Sequence, residues 1–121
     1  MKQSIIKDKS FVFAISIVVL YKHLTGESRE YVLSKQLLRS GTSIGANVRE
    51  ALNAESPKDF IHKLAIAQKE CDETQYWLEL LHQTGFLTHT EFNAITTPAT
   101  ELLKILKSII LTTKQKLTHK S

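Results

Sequence analysis

One cysteine, two prolines, four glycines and one tryptophan are all that this chain of 121 residues holds of those types. With Cys71 alone no intrachain disulfide can form, and a reducing, cytoplasmic setting is the expectation. Long apolar runs are also missing. The strongest, Phe11 to Tyr21 (FVFAISIVVLY), is shorter than the roughly 20 apolar residues that a bilayer requires. Lys2, Lys7 and Lys9 precede it in the manner of a signal peptide, but no small-x-small cleavage site follows, so the run reads as a buried bundle helix and no membrane role is expected. Strand-period segments, internal repeats and low-complexity linkers are absent as well. Positive charge vanishes over a long stretch: from Glu70 to Leu103 there are six acids and no Lys or Arg. Beyond Glu101 the situation reverses, with Lys104, Lys107, Lys114, Lys116 and Lys120 and no acid at all.

What is present is helical periodicity broken by helix punctuation. Asp8 or Ser10 can cap a first helix of about 9–24, which Thr25-Gly26 would end with Gly in the left-handed region. Ser28 restarts the chain for a second helix of about 29–54. Ser56-Pro57-Lys58-Asp59 opens a third, of about 57–84, with Ser as cap, Pro in the first turn and an acid three residues on. Thr84-Gly85 closes it, and a fourth helix covers about 90–116. Pro98 falls inside that last helix, where a missing N–H and a steric clash predict a kink or a break into two helices. Four helices joined by short loops form one all-α domain over residues 1–121, an antiparallel up-down-up-down bundle.

The second helix carries the most distinctive stretch, Leu33 to Ala54 (LSKQLLRSGTSIGANVREALNA). Leu33, Leu37, Ile44, Val48 and Ala51 share one face, while Gly41, Ser43, Gly45 and Ala46 are small. A glycine inside a helix costs about 1 kcal/mol relative to alanine. The compensation expected is a close neighbour, either inside the bundle or across a subunit boundary; a loop at residues 40–43 is the other reading. If the second and third helices run antiparallel about a turn near Ser56, Arg39 falls level with Asp72 and Glu73. An ion pair of Arg39 with Glu70 or Glu73, buried or half-buried, follows from that register.

Catalytic and metal chemistry find little support. Gly41 to Gly45 lacks the Gly-Lys-Ser/Thr ending of a phosphate loop, and no strand precedes it. Glu79-x-x-His82 is half of a di-iron motif whose second copy is missing. His23, His62, His89 and His119 have no ligand spacing. Cys71 sits in an apolar helical row, and Tyr76-Trp77 reads as packing on a core helix. Base, nucleophile and oxyanion site do not assemble, so no enzyme activity, metal, cofactor or small-molecule substrate is expected.

The segments FVFAISIVVLYKHL, LSKQLLRSGTSIGANVREA and KDFIHKLAIAQKECDETQYWLELL resemble the four-helix-bundle proteins encoded in intervening sequences of bacterial 23S ribosomal RNA genes. The resemblance covers about residues 7–95, with QLLRSGTSIGAN its most specific stretch. It implies a left-handed bundle that assembles into a ring of five, and a relation to the accessory variability protein of diversity-generating retroelements, with nucleic acid as ligand. Carried over residue by residue, the motif falls on Gln36, Arg39, Ser40, Gly41, Ser43, Ile44, Gly45, Ala46 and Asn47. In the third helix it falls on Phe60, Lys63, Leu64, Ala67, Glu70, Glu73, Tyr76, Trp77 and Leu78. Pro98 and the Thr-rich start of the fourth helix depart from the pattern.

The resulting expectation is a non-enzymatic homo-oligomer. Arg39, Gly41, Ser43, Gly45, Asn47, Glu70, Glu73 and Trp77 would form its structural or subunit-contact surface. A net charge of +4 and a pI near 9.2 favour polyanions. Lys104, Lys107, Lys114 and Lys116 are the candidates for RNA or DNA backbone. The competing expectation is a structural or protein-partner adaptor, in which those lysines offset the helix dipole and keep the tail soluble.

Overall fold

The computed structural model describes the backbone of residues 2–120 and the side chains of residues 5–119. Four helices account for nearly all of it: α1 (Lys2–Gly26), α2 (Leu33–Leu52), α3 (Pro57–Gln83) and α4 (His89–Lys120). No strand occurs among the described residues. Each helix packs against two neighbours, in the cycle α1–α2–α3–α4–α1, and the α1–α4 seam is the loosest. Residue numbers run in opposite directions across each seam. Lys9 meets Glu101 and His23 meets Glu91 across α1 and α4, while Glu50 meets Lys63 and Arg39 meets Glu70 across α2 and α3.

The buried interior draws on every helix, with Phe13 and Ile17 of α1, Ile44 of α2, Leu78 of α3 and Leu106 of α4 almost without exposure. Side chains of this size each contribute roughly 1.5–3 kcal/mol on burial. Helix ends show why the boundaries fall where they do. Ser56 accepts the Asp59 N–H at 3.1 Å with Pro57 in the first turn of α3. At the start of α4, Thr88 and Glu91 cap reciprocally: the Glu91 N–H donates to Thr88 Oγ1 at 3.1 Å, and the Thr88 N–H donates to Glu91 Oε1 at 2.8 Å.

Several sequence expectations are corrected. The first helix starts well before Asp8 and Ser10; Ser10 is buried and faces α2 instead of capping. Gly26 does not take the left-handed conformation; Arg29 does, with φ 53°. Ser28 does not start α2 either. Glu30 does so, its carboxylate accepting the N–H groups of Val32, Leu33 and Ser34 at 3.1, 2.7 and 2.8 Å. Burial pushes the Glu30 carboxyl up, but those donors outweigh it and hold the group below its usual range. Pro98 lies inside an α4 that continues as one helix from His89 to Lys120, so the expected break does not occur. One lost N–H is a small defect in a helix anchored on both sides of it by Ile95, Ala99 and Leu102.

Candidate functional site

The glycines of α2 face α1 of the same chain. A Cβ at Gly41 would stand 2.8 Å from the Ile17 side chain, and one at Gly45 would stand 3.3 Å from the Ser10 carbonyl oxygen. The close neighbour that the sequence demands therefore lies inside the bundle, and these two positions belong to the α1–α2 contact. Ser43 and Asn47, both half-buried, bond back along α2: Ser43 Oγ donates to the Arg39 carbonyl at 2.6 Å, and Asn47 Nδ2 donates to the Ser43 carbonyl at 2.9 Å.

Across the α2–α3 seam, Arg39 reaches both glutamates. Its Nη1 lies 3.2 Å from Glu70 Oε2, and its Nη2 pairs with Glu73 Oε2. The Trp77 indole N–H donates to that same Glu73 oxygen at 3.1 Å. This indole bond, joined by Arg39, holds the Glu73 carboxyl below its usual range, while bonds to Glu73 and then Glu70 raise the Arg39 guanidinium. Half of the Arg39 side chain is exposed, 50%, against 18% for Glu70 and 37% for Glu73. Solvent screens such a pair, so each contact is worth about 0–1 kcal/mol, short of the several expected of an interior ion pair. Beneath it the hydroxyls of Thr74 and Ser40 meet at 3.0 Å in the buried interior.

Most other singled-out residues serve packing. Cys71 is fully buried, its Sγ–H donating to the Ala99 carbonyl at 3.3 Å, and burial, aided by Asp72, pushes its thiol up to about 12. A thiol in that state is not a nucleophile at neutral pH. His82 stacks on Phe92 with centroids 4.4 Å apart and bonds the Leu87 carbonyl, closing the α3–α4 turn. Tyr76 and Trp77 meet edge to face at 5.0 Å, but Tyr76 is 58% exposed, so the pair lies at the surface and is not the core packing that the sequence suggests. Among the described residues no three His, Cys, Asp or Glu groups converge as a metal site would need. No described helix is long and apolar enough to cross a membrane.

Lys104, Lys107, Lys114 and Lys116 are all exposed on α4, but they do not form one patch. Lys104, Lys107 and Lys114 follow steps of three and seven and share a face, joined by exposed Leu111. Lys116 turns away and lines a cleft at the α2–α3 turn. The side chain of Lys120 lies outside the described residues.

One surface was not anticipated. Read as a buried helix, α1 buries only one side; Phe11, Val12, Ile15 and Val19 are 50–62% exposed, with Ile5 at 46% beside them. Steps of three, four and seven place these side chains along one outward stripe. The sequence signal was there: a helix apolar all round cannot bury its whole circumference within four helices.

Comparison with known proteins points to one family. The family model described as 23S rRNA-intervening sequence protein matches residues 2–108. A crystal structure of a protein with unknown function from the S23 ribosomal protein family of Bacteroides thetaiotaomicron superposes with a TM-score of 0.90 at 56% identity, covering 91% of this chain and 98% of that one. No protein with a curated description matches.

Proposed function

The chain belongs to the 23S rRNA-intervening sequence protein family, and from that premise we propose a non-enzymatic, self-associating helical bundle that binds RNA or DNA weakly through a basic surface. The observation that carries self-association is the outward apolar stripe of α1, Phe11, Val12, Ile15 and Val19. Contiguous exposed apolar surface of this kind is uncommon on monomers and marks contact sites. A second copy of the chain is the occupant proposed, in a closed ring with five the number that family resemblance implies. Sedimentation at several concentrations tests this. A mass several times that of the chain, falling to the monomer when Phe11 and Val19 become serine, supports the reading; a monomer throughout refutes it.

Nucleic-acid binding is supported by the exposed Lys104, Lys107 and Lys114 on one face of α4 and by the net charge of +4. Lysines act as point charges for phosphates and carry no base code, so binding would be weakly sequence-dependent and would fall steeply with salt. Ring assembly would multiply such contacts into useful avidity. Affinity for single-stranded and duplex RNA and DNA, with Lys104, Lys107, Lys114 and Lys116 changed to glutamine, is the check. Loss of binding in the variant supports the reading. Absence of binding by the unmodified protein at low salt leaves the adaptor role, in which the same α1 stripe receives a protein partner.

A further inference from the structure

The antiparallel course of the helices brings the start of α1, the end of α2, the start of α3 and the end of α4 to one end of the bundle, and two clefts open there. One, about 220 Å³, is lined by Lys7, Arg49, Leu52 and Asn53. The other, about 410 Å³, lies between the α2–α3 turn and α4; Leu52, Ser56, Phe60, Thr113 and Lys116 line it, as does the acid Glu55. Leu52 belongs to both, so the clefts adjoin. Lys7, Arg49, Lys58 and Lys116 are exposed, and none has a carboxylate within ion-pair distance among the described residues. Arg49 lies over the Phe11 ring, 5.1 Å from its centroid, which fixes the guanidinium without neutralising it. Glu50, the nearest acid on α2, is occupied by Lys63 at 3.1 Å. This end also carries the acids Asp8, Glu55 and Asp59, none of them in an ion pair among the described residues, but Lys7, Arg49, Lys58, Lys114 and Lys116 outnumber them, whereas at the other end Glu27, Glu30, Glu79 and Glu91 outnumber Lys22, Arg29 and Lys35.

We infer that this end seats the backbone of single-stranded nucleic acid, with a phosphate in the Lys7–Arg49–Asn53 cleft and the strand continuing past Leu52 toward Lys116. The inference rests on the nucleic-acid reading above and extends it from α4 onto three further helices. Cations alternating with apolar walls at Leu52 and Phe60, in clefts of this size, suit a single strand, whose phosphates and base faces are both accessible. A rigid duplex would meet the rim of the clefts only.

The test is the salt-dependent affinity for a fluorescent single-stranded oligouridine of the unmodified protein, of Lys7→Gln/Arg49→Gln/Lys58→Gln, and of Lys104→Gln/Lys107→Gln, with helical melting checked for each. The triple variant is expected to bind about tenfold more weakly or worse at low salt, with its salt slope reduced by about one to three units. Arg49→Lys, which keeps the charge, should retain most of the affinity. Lys58→Gln alone, an exposed change in the first turn of α3, carries the test if the triple variant does not fold. Unchanged binding by the Lys7, Arg49 and Lys58 variant, alongside weakening by the α4 pair, overturns this surface and leaves the nucleic-acid reading intact. Tighter binding of duplex than of single strand overturns the single-strand assignment. No binding by the unmodified protein overturns both.

Discussion

The side of α1 that meets α2 and the side that faces away are made of the same kinds of residue, yet Phe13 and Ile17 are 2% and 0% exposed while Ile15 and Val19 are 50% and 62% exposed. On the inner side, glycines at 41 and 45 let α2 approach until no Cβ would fit without displacement. On the outer side, among the described residues, the Arg49 guanidinium lies over the Phe11 ring, and Val12, Ile15 and Val19 remain 50–62% exposed. Each half-covered aliphatic side chain there still has on the order of 1 kcal/mol to gain from burial. One helix thus carries two apolar sides, of which the inner is buried by its own chain and the outer is the one we propose a second copy covers.

The comparison is broken most severely from the inside. Gly41→Leu drives a branched side chain into Ile17 and should destabilise the fold by about 1–3 kcal/mol or more, read as a lowered Tm. Ile15→Ser, two residues from Ile17 and on the opposite side of α1, should destabilise the monomer by about 1 kcal/mol or less, because half of that side chain is already in water. If the two substitutions cost the same, the distinction between the sides fails.

Glu30→Ala comes next. Three N–H groups at the start of α2 lose their acceptor, and a cap of this kind is worth about 0.5–2 kcal/mol by chemical denaturation. Arg39→Ala is smaller: its exposed pairs with Glu70 and Glu73 should contribute about 1 kcal/mol or less, and raising salt should shrink the difference further. A loss of several kcal/mol would mean that the seam is far drier than the 50% exposure of Arg39 indicates.

Acid sharpens the same picture. The carboxyls of Glu30, Glu73 and Glu91 are held below their ordinary value of 4.5 in the folded chain. Their contribution is therefore complete above about pH 4.5 and is lost as pH falls through that value toward the lowered folded ones. Denaturant midpoints should be flat above pH 5.5 or so and should decline below about pH 4.5; stability rising on acidification would contradict the assignment.

Much of the bundle could be read from residue spacing. Ser56-Pro57 places the start of α3, and the resulting antiparallel register sets Arg39 level with Asp72 and Glu73, within reach of the Glu70 and Glu73 carboxylates that it pairs with. Capping was harder to read where the cap is a carboxylate reaching four residues forward, as Glu30 does to Ser34, since Ser28 carries the more familiar signal. Pro98 misled for a related reason: local chemistry predicts a break, but burial of Ile95, Ala99 and Leu102 holds the helix on both sides. The direction in which Gly41 and Gly45 face was left open by the spacing alone, because small residues permit an approach without saying from which helix. The α1 stripe was the least legible. A uniformly apolar helix gives no moment to show which side is outward.

The central claim is that the outward stripe of α1 is covered by another copy of the chain. Because Cys71 is fully buried with its thiol pushed up to about 12, a cysteine introduced at Ile15 would be the one reactive thiol in the protein. Its rate of modification, measured beside that of a cysteine at the exposed Gln83 in α3, reports directly on coverage. The account predicts that Ile15→Cys reacts at least about tenfold more slowly at high protein concentration, and that the protection disappears when Phe11 and Val19 are also changed to serine. Equal rates for the two cysteines at every concentration would contradict it.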